Sequence, residues 1–151
     1  MNLIKKRILI TAGEPASISS EITIKAIKKL KKESNSELIL ITDPSLIKHE
    51  IKNFNKSAEL NILDKKLNFK DYKNDFINII PIKLNEKTIP GILNKKNSDF
   101  VLKSIDMSVD LLLQKKANAL VTNPINKFIM KSSNFKFNGH TEYLGHLSKF
   151  N

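Results

Sequence analysis

The chain has no cysteine and no tryptophan, only 4 glycines and 5 prolines in 151 residues, and a single arginine, Arg7, among 26 basic side chains. Without cysteine, a disulfide scaffold, a thiolate metal centre and a cysteine nucleophile are excluded together. Hydrophobic residues at 40% and charged residues at 27% place the chain outside the disordered classes and suffice for one core of ordinary size. Long apolar runs are missing too. After the basic start Met1–Arg7, the stretch Ile8–Ala12 stops at Gly13-Glu14-Pro15, too short for a signal h-region, and no later run approaches a membrane span. A cytoplasmic protein with no membrane partner is expected.

Lysine is abundant. The 26 basic against 15 acidic residues give a net charge of +11, which suggests phosphate backbones as a partner. The makeup of that charge argues against nucleic acid, because bidentate base and phosphate contacts favour the guanidinium fork and only Arg7 carries one. The lysines are spread along the chain beside isoleucine and asparagine, as on a solvated surface. A basic α/β nucleic-acid-binding module remains the alternative from another functional class, with salt-sensitive binding as its signature.

Hydrophobic patterning alternates between strand and helix. Arg7–Thr11 and Glu37–Thr42 are short runs rich in branched residues, the mark of strands buried on both faces of a parallel sheet. Between them a helix capped by Ser20 is expected, with Ile22, Ala26, Ile27 and Leu30 as its apolar stripe. A helix over Ser45–Lys52, strands at Ala58–Ile62 and Phe76–Ile82, and a surface excursion over Asp64–Asp75 follow. The longest helical pattern, Asn97–Lys116, presents Phe100, Val101, Ile105, Val109, Leu112 and Leu113. Ala119–Thr122 reads as a buried strand, Ile125–Lys131 as a helix, and Glu142–Asn151 as a helix without a C-cap. Residues 1–151 are therefore expected to form a single α/β unit.

In open α/β sheets ligands bind at the carboxyl ends of the strands, so three loops stand out. Thr11–Glu21 has Gly13 for close backbone approach, Glu14, and hydroxyls at a helix start; a capped tight turn accounts for the same residues. Val121–Lys127 delivers Asn123 and Lys127, the latter a point charge for a phosphate or acidic substrate, although a lone lysine here is also ordinary surface. Phe137–Glu142 places His140, Thr141 and Glu142 beside Gly139, with Thr141 as a helix cap. Of the three histidines, His49 reads as a solvated helix residue and His146 as a partly buried packing residue, which leaves His140 as the functional candidate. No histidine and carboxylate pattern at metal-ligand spacing is present. Phe54, Phe69, Phe76 and Phe100 are spaced as core or loop anchors, not as a stacking platform.

Together T-x-G-E-P-A at Thr11–Ala16, A-L-V-T-x-P-I-x-K at Ala119–Lys127 and G-H-T-E at Gly139–Glu142 resemble, in order and interval, the 4-hydroxythreonine-4-phosphate dehydrogenase family of pyridoxal phosphate biosynthesis. The resemblance covers the whole chain and the N-terminal half of that family. It implies a three-layer α/β/α fold of the isocitrate/isopropylmalate dehydrogenase type, apparently truncated here. It further implies a homodimer and an NAD-dependent oxidation of 4-phosphooxy-L-threonine with subsequent decarboxylation. A divalent metal (Zn, Mg or Co) would assist, its ligands lying beyond residue 151. His140 and Thr141 are then substrate-binding residues, with Lys127, Asn123, Gly13 and Glu14 in the candidate phosphate or substrate loops. A paralogue acting on threonate or erythronate phosphate carries the same motifs. The chain departs from the family at Ser17 and Ser19, where glycine is usual, so a left-handed backbone at either position would be strained. Activity of residues 1–151 alone is not expected.

Overall fold

The computed structural model describes residues 5–33, 36–53, 58–67 and 71–148. Phe54, Phe69 and residues 149–151 lie outside them. Strands β1 (Lys6–Thr11), β2 (Ser36–Thr42), β3 (Leu60–Ile62), β4 (Ile77–Pro81) and β5 (Ala119–Val121) form one sheet in the order β3-β4-β2-β1-β5. Every pairing is parallel, with Ile8 opposite Leu38 and Ala119, and Leu40 opposite Ile79. The helices are α1 (Ser19–Glu33), α2 (Pro44–Asn53), α3 (Ser98–Leu113), α4 (Lys127–Ser132) and α5 (His140–Ser148).

Strand alternation divides the apolar residues between two cores. Ile10, Leu38, Leu40, Ile77 and Ile79 meet Ile24 and Ile27 of α1 and Ile47 of α2 on one face. Leu9, Ile39, Ile41 and Ile80 meet Phe100, Val101 and Ile105 of α3 on the other, with Tyr143, Leu144 and Leu147 of α5 packed behind. The result is the three-layer α/β/α architecture, with each fully buried Ile or Leu contributing about 2 kcal/mol of transfer free energy. The path from β1 through β2 to β4 carries α1 and α2 on one face; the return over the sheet to β5 carries α3 on the other. β1 therefore lies at the switch point, between β2 and β5.

Several local expectations are corrected. In α1 the buried residues are Ser19, Ser20, Thr23, Ile24 and Ile27, at helical spacing, whereas Ile22, Ala26 and Leu30 are exposed. The helix begins at Ser19, so Ser20 lies inside it and does not cap it; Ser17 Oγ accepts from Ser19 N instead. In α3 Leu111 is buried and Leu113 is exposed, because the last turn tightens into a C-terminal motif in which Lys116 N donates to Leu111 O and Lys115 takes a left-handed φ of 57°. The excursion after β3 is not all surface: Leu67 is buried, and Tyr72 OH accepts from Leu38 N. β5 is not buried either. It has only β1 as a neighbour among the described residues, and Val121 is 50% exposed. An apolar strand is covered only if another element lies over its outer side, which composition cannot show. His146 is exposed, its ring against Phe137 at 5.0 Å between centroids.

The amino ends of the strands are tied by the only arginine. Arg7 Nε and Nη2 donate to Glu37 Oε2 at 2.9 and 2.6 Å, and Nη1 to Lys116 O at 3.3 Å, with the Arg7 side chain 2% exposed. Arg7 and Glu37 are register partners on β1 and β2, so the pair is preset by strand alignment. Near the carboxyl ends, Ser104 of α3 donates to Ile41 O at 2.9 Å and accepts from Ala12 N at 2.7 Å. One small hydroxyl thus fixes the exits of β1 and β2 against the helix.

Candidate functional site

The loops leaving β1 and β5 meet at the switch point and lock into a clasp. Gly13 has φ +71°, and a Cβ there would lie 2.6 Å from Ser19 Oγ, 2.7 Å from Asn123 Cβ and 2.8 Å from Pro124 O. The close backbone approach anticipated at Gly13 is therefore an approach to the β5 loop. Asn123 N donates to Thr11 Oγ1 at 3.0 Å, and its Nδ2 donates to Thr11 O at 2.8 Å and Thr23 Oγ1 at 2.7 Å. Thr23 Oγ1 in turn donates to Ser19 O at 2.8 Å, and Glu14 N donates to Pro124 O at 2.9 Å. This explains why Ser19 and Thr23 face inward in α1: the helix side that touches the β5 loop carries hydroxyls.

Ser17 and Ser19 fit this arrangement without backbone strain, since neither has a positive φ. Ser17 Oγ donates to Glu14 O at 2.7 Å and lies 2.8 Å from Ser19 Oγ. The Glu14 side chain is buried and accepts from Ala16 N at 3.2 Å; burial pushes its carboxyl above the ordinary range, against the lowering effect of that hydrogen bond. With these groups engaged and the space at Gly13 filled, the clasp leaves no cradle for a dinucleotide pyrophosphate.

A second arrangement lies further along the same loop. Asn126 Oδ1 accepts from Ile129 N at 3.0 Å and caps α4, so Lys127 stands at its first residue. Gly139 precedes α5, and the Lys127 side chain runs over it, with Cε 3.4 Å and Nζ 3.8 Å from where a Cβ of residue 139 would be. His140 and Thr141 open α5. The helix starts too early for Thr141 to cap it: Glu142 reaches back instead, its Oε2 accepting from Asn138 N at 2.9 Å and its Oε1 from Asn138 Nδ2 at 2.7 Å. Those bonds, the Asn138 backbone first, hold the Glu142 carboxyl below its ordinary range.

His140 differs from every other polar side chain described: its Nε2 is shut off from solvent and has no hydrogen-bond partner. An orphaned buried nitrogen costs roughly 1–3 kcal/mol, a common mark of a functional position. Burial first, and the Lys127 ammonium second, lower the His140 pKa, so the imidazole is neutral at pH 7. The ring cluster Phe135, Phe137, Tyr143 and His146, with centroids 5.0–5.4 Å apart, supports this corner. Tyr143 OH donates to Asp106 Oδ1 at 2.5 Å, which ties α5 to α3. Burial and the Asp106 carboxylate both raise the Tyr143 pKa, so the phenol keeps its proton. Sequence spacing gives no sign of this cluster, whose members meet only after α5 folds back.

A cavity of about 270 Å³ also opens at the carboxyl ends of β1, β2 and β4, lined in part by Ser17, Ser45, His49, Glu50 and Lys87. His49 is exposed, as its lysine-rich segment suggests. Among the described residues no three histidine or carboxylate side chains converge as metal ligands, so the residues present do not fit a divalent metal. No helix among them is long and apolar enough to cross a membrane.

Comparison with known proteins finds relatives over nearly the whole chain. A relative from Wigglesworthia glossinidia brevipalpis named 4-hydroxythreonine-4-phosphate dehydrogenase is 36% identical over 142 residues, covering 94% of this chain and 42% of the relative. The crystal structure of 4-hydroxythreonine-4-phosphate dehydrogenase from Klebsiella pneumoniae superposes with a TM-score of 0.84 at 26% identity, over 100% of this chain and 46% of that one. The enzyme of the same name from Burkholderia phymatum shares the fold, with a TM-score of 0.87 at 23% identity over 99% of this chain and 45% of its own. The chain thus spans less than half the length of these relatives. The profile of the family described as pyridoxal phosphate biosynthetic protein PdxA matches residues 33–151, and the chain belongs to that family.

Proposed function

We propose that this chain supplies a substrate-binding part of a 4-hydroxythreonine-4-phosphate dehydrogenase, the activity named in its relatives. On this reading residues 1–151 are one α/β unit of a longer, homodimeric, cytoplasmic enzyme. Its reaction is the oxidation of the secondary alcohol of 4-phosphooxy-L-threonine, with subsequent decarboxylation. NAD would supply the hydride acceptor. The metal's ligands belong outside residues 1–151.

The observation that carries the reading is the unpartnered Nε2 of His140 in the G-H-T-E loop, beside the exposed Thr141. A neutral imidazole can donate at one nitrogen and accept at the other, which suits the polar head of a hydroxy acid. Thr141 offers a hydroxyl in the first turn of α5, where free backbone N–H groups and the helix dipole favour negative charge. The two residues therefore orient and hold the substrate and do not themselves carry out the redox step.

The test is calorimetric titration of the chain with 4-phosphooxy-L-threonine. Binding weakened at least tenfold by His140→Ala and by Thr141→Val supports the reading; binding unchanged by both would overturn the site. Turnover by the chain alone, with NAD and Zn, Mg or Co, would overturn its being a part of a larger catalytic unit. Competition by threonate and erythronate phosphates separates the paralogous substrates: tighter binding of either would replace the named one.

A further inference from the structure

We propose that Lys127 is a further recognition residue of the His140–Thr141 site, and that its ammonium takes the phosphate of the substrate. The inference rests on the substrate-binding reading above and deepens it. In a chain with this many exposed lysines, one more would mean little, but three observations set Lys127 apart.

Its position is fixed. Asn126 caps α4 and so determines where the Lys127 stem begins, and the side chain lies across Gly139 with Cε in van der Waals distance of the missing Cβ. Its charge is also uncommitted: among the described residues no hydrogen bond or ion pair engages Nζ, unlike Lys25 and Lys96, which pair with Glu21 and Glu86. Finally, it lies beside the candidate site: Nζ is 3.8 Å from where a Cβ of Gly139, the residue before His140, would be, and its charge helps to lower the His140 pKa. The notch therefore presents one cation, one neutral imidazole and one hydroxyl around Gly139, with the Glu142 carboxylate nearby but turned back onto Asn138, which occupies both its oxygens. A phosphomonoester dianion satisfies the ammonium as a point charge and leaves the imidazole and hydroxyl to complete its hydrogen bonds.

The experiment is an NMR titration of the isolated chain, following the His140 ring and the Thr141 amide, with inorganic phosphate, 4-phosphooxy-L-threonine and unphosphorylated L-threonine as probes. Lys127→Met keeps the stem and removes the charge, Lys127→Arg keeps the charge, and Gly139→Ala puts a methyl under the ammonium. Because Lys127 is exposed, its variants should fold, and their thermal midpoints check this. Saturable shifts with phosphate and with the phosphorylated substrate are expected, retained in Lys127→Arg and weakened at least tenfold in Lys127→Met. Gly139→Ala should fall between, and L-threonine should give no shift at the same concentrations.

If Lys127→Met responds to phosphate as the parent does, Lys127 is not the phosphate residue, while the His140–Thr141 site stands. A linear, unsaturable shift in the parent would reduce Lys127 to general screening and overturn the proposal. If neither phosphate nor phosphorylated substrate moves His140 in any form, the substrate-binding reading falls with it.

Discussion

The clasp around Gly13 and Asn123 joins the loop after β1 to the excursion after β5, the notch around Lys127 and His140 lies further along that excursion, and both use the same vocabulary of glycine, amide, hydroxyl and charge. In the clasp the groups answer one another: Asn123 bonds to Thr11 and Thr23, and Glu14 to Pro124 and Ala16. In the notch they do not: Nε2 of His140 has no partner and Lys127 has no counter-charge in bonding range. Residue type alone did not separate the two. The difference is whether the protein itself satisfies the polar atoms, and an unsatisfied set held in place by satisfied neighbours is the better place to look for a ligand.

If this distinction is right, substitutions in the clasp act on stability and those in the notch act on binding. Gly13→Ala should have the largest effect, about 3 kcal/mol or more, because it forces a side chain into a left-handed backbone and against the backbone oxygen of Pro124; urea denaturation measures it. Asn123→Ala should cost about 2–3 kcal/mol by stranding Thr11 O and opening a void, visible in the same denaturation midpoints. A midpoint like the parent's for either variant would mean that the clasp does not hold the sheet ends together.

Glu14→Gln should raise the thermal midpoint at pH 7. The folded state binds a proton at Glu14 more tightly than the unfolded state, so the native carboxyl costs stability as pH rises through 4.5 towards its folded value, and the amide removes that loss. For His140 the sign is opposite. Its folded pKa is depressed, so the unfolded chain takes up more protons below about pH 6.5, and stability falls on acidification from there. His140→Gln should flatten that limb of the pH–stability curve. The smallest effect belongs to Lys127→Met, within about 0.5 kcal/mol of the parent in denaturation. A much larger loss would make Lys127 a structural residue and blur the distinction.

How much of this was legible beforehand depended on whether the signal was local. β1, β2 and β4 were readable as continuous branched runs because both their faces are buried, and α3 because its core stripe is long. The buried face of α1 was not, since Thr23 turns inward to meet Asn123 and Ser19 to meet Pro124, contacts across the fold that outweigh the hydrophobicity of Ile22 and Leu30. The exposure of β5 and the ring cluster of α5 depend likewise on what lies beside them in space. The G-H-T-E loop was legible as a place where chemistry could sit. That Lys127 reaches across Gly139 was not, because it follows from how α4 and α5 are set against each other.

Arg7 draws a boundary on how freely the chain can be rewritten. At an exposed position a lysine and an arginine are close to interchangeable, and a coding bias can replace one by the other at little cost. At residue 7 three nitrogens of one planar group reach Glu37 and a backbone carbonyl in a space closed to water, and a primary ammonium has neither the span nor the shape to do so. Outside the core, charge behaves as a quantity; at the amino ends of β1 and β2 it is a form.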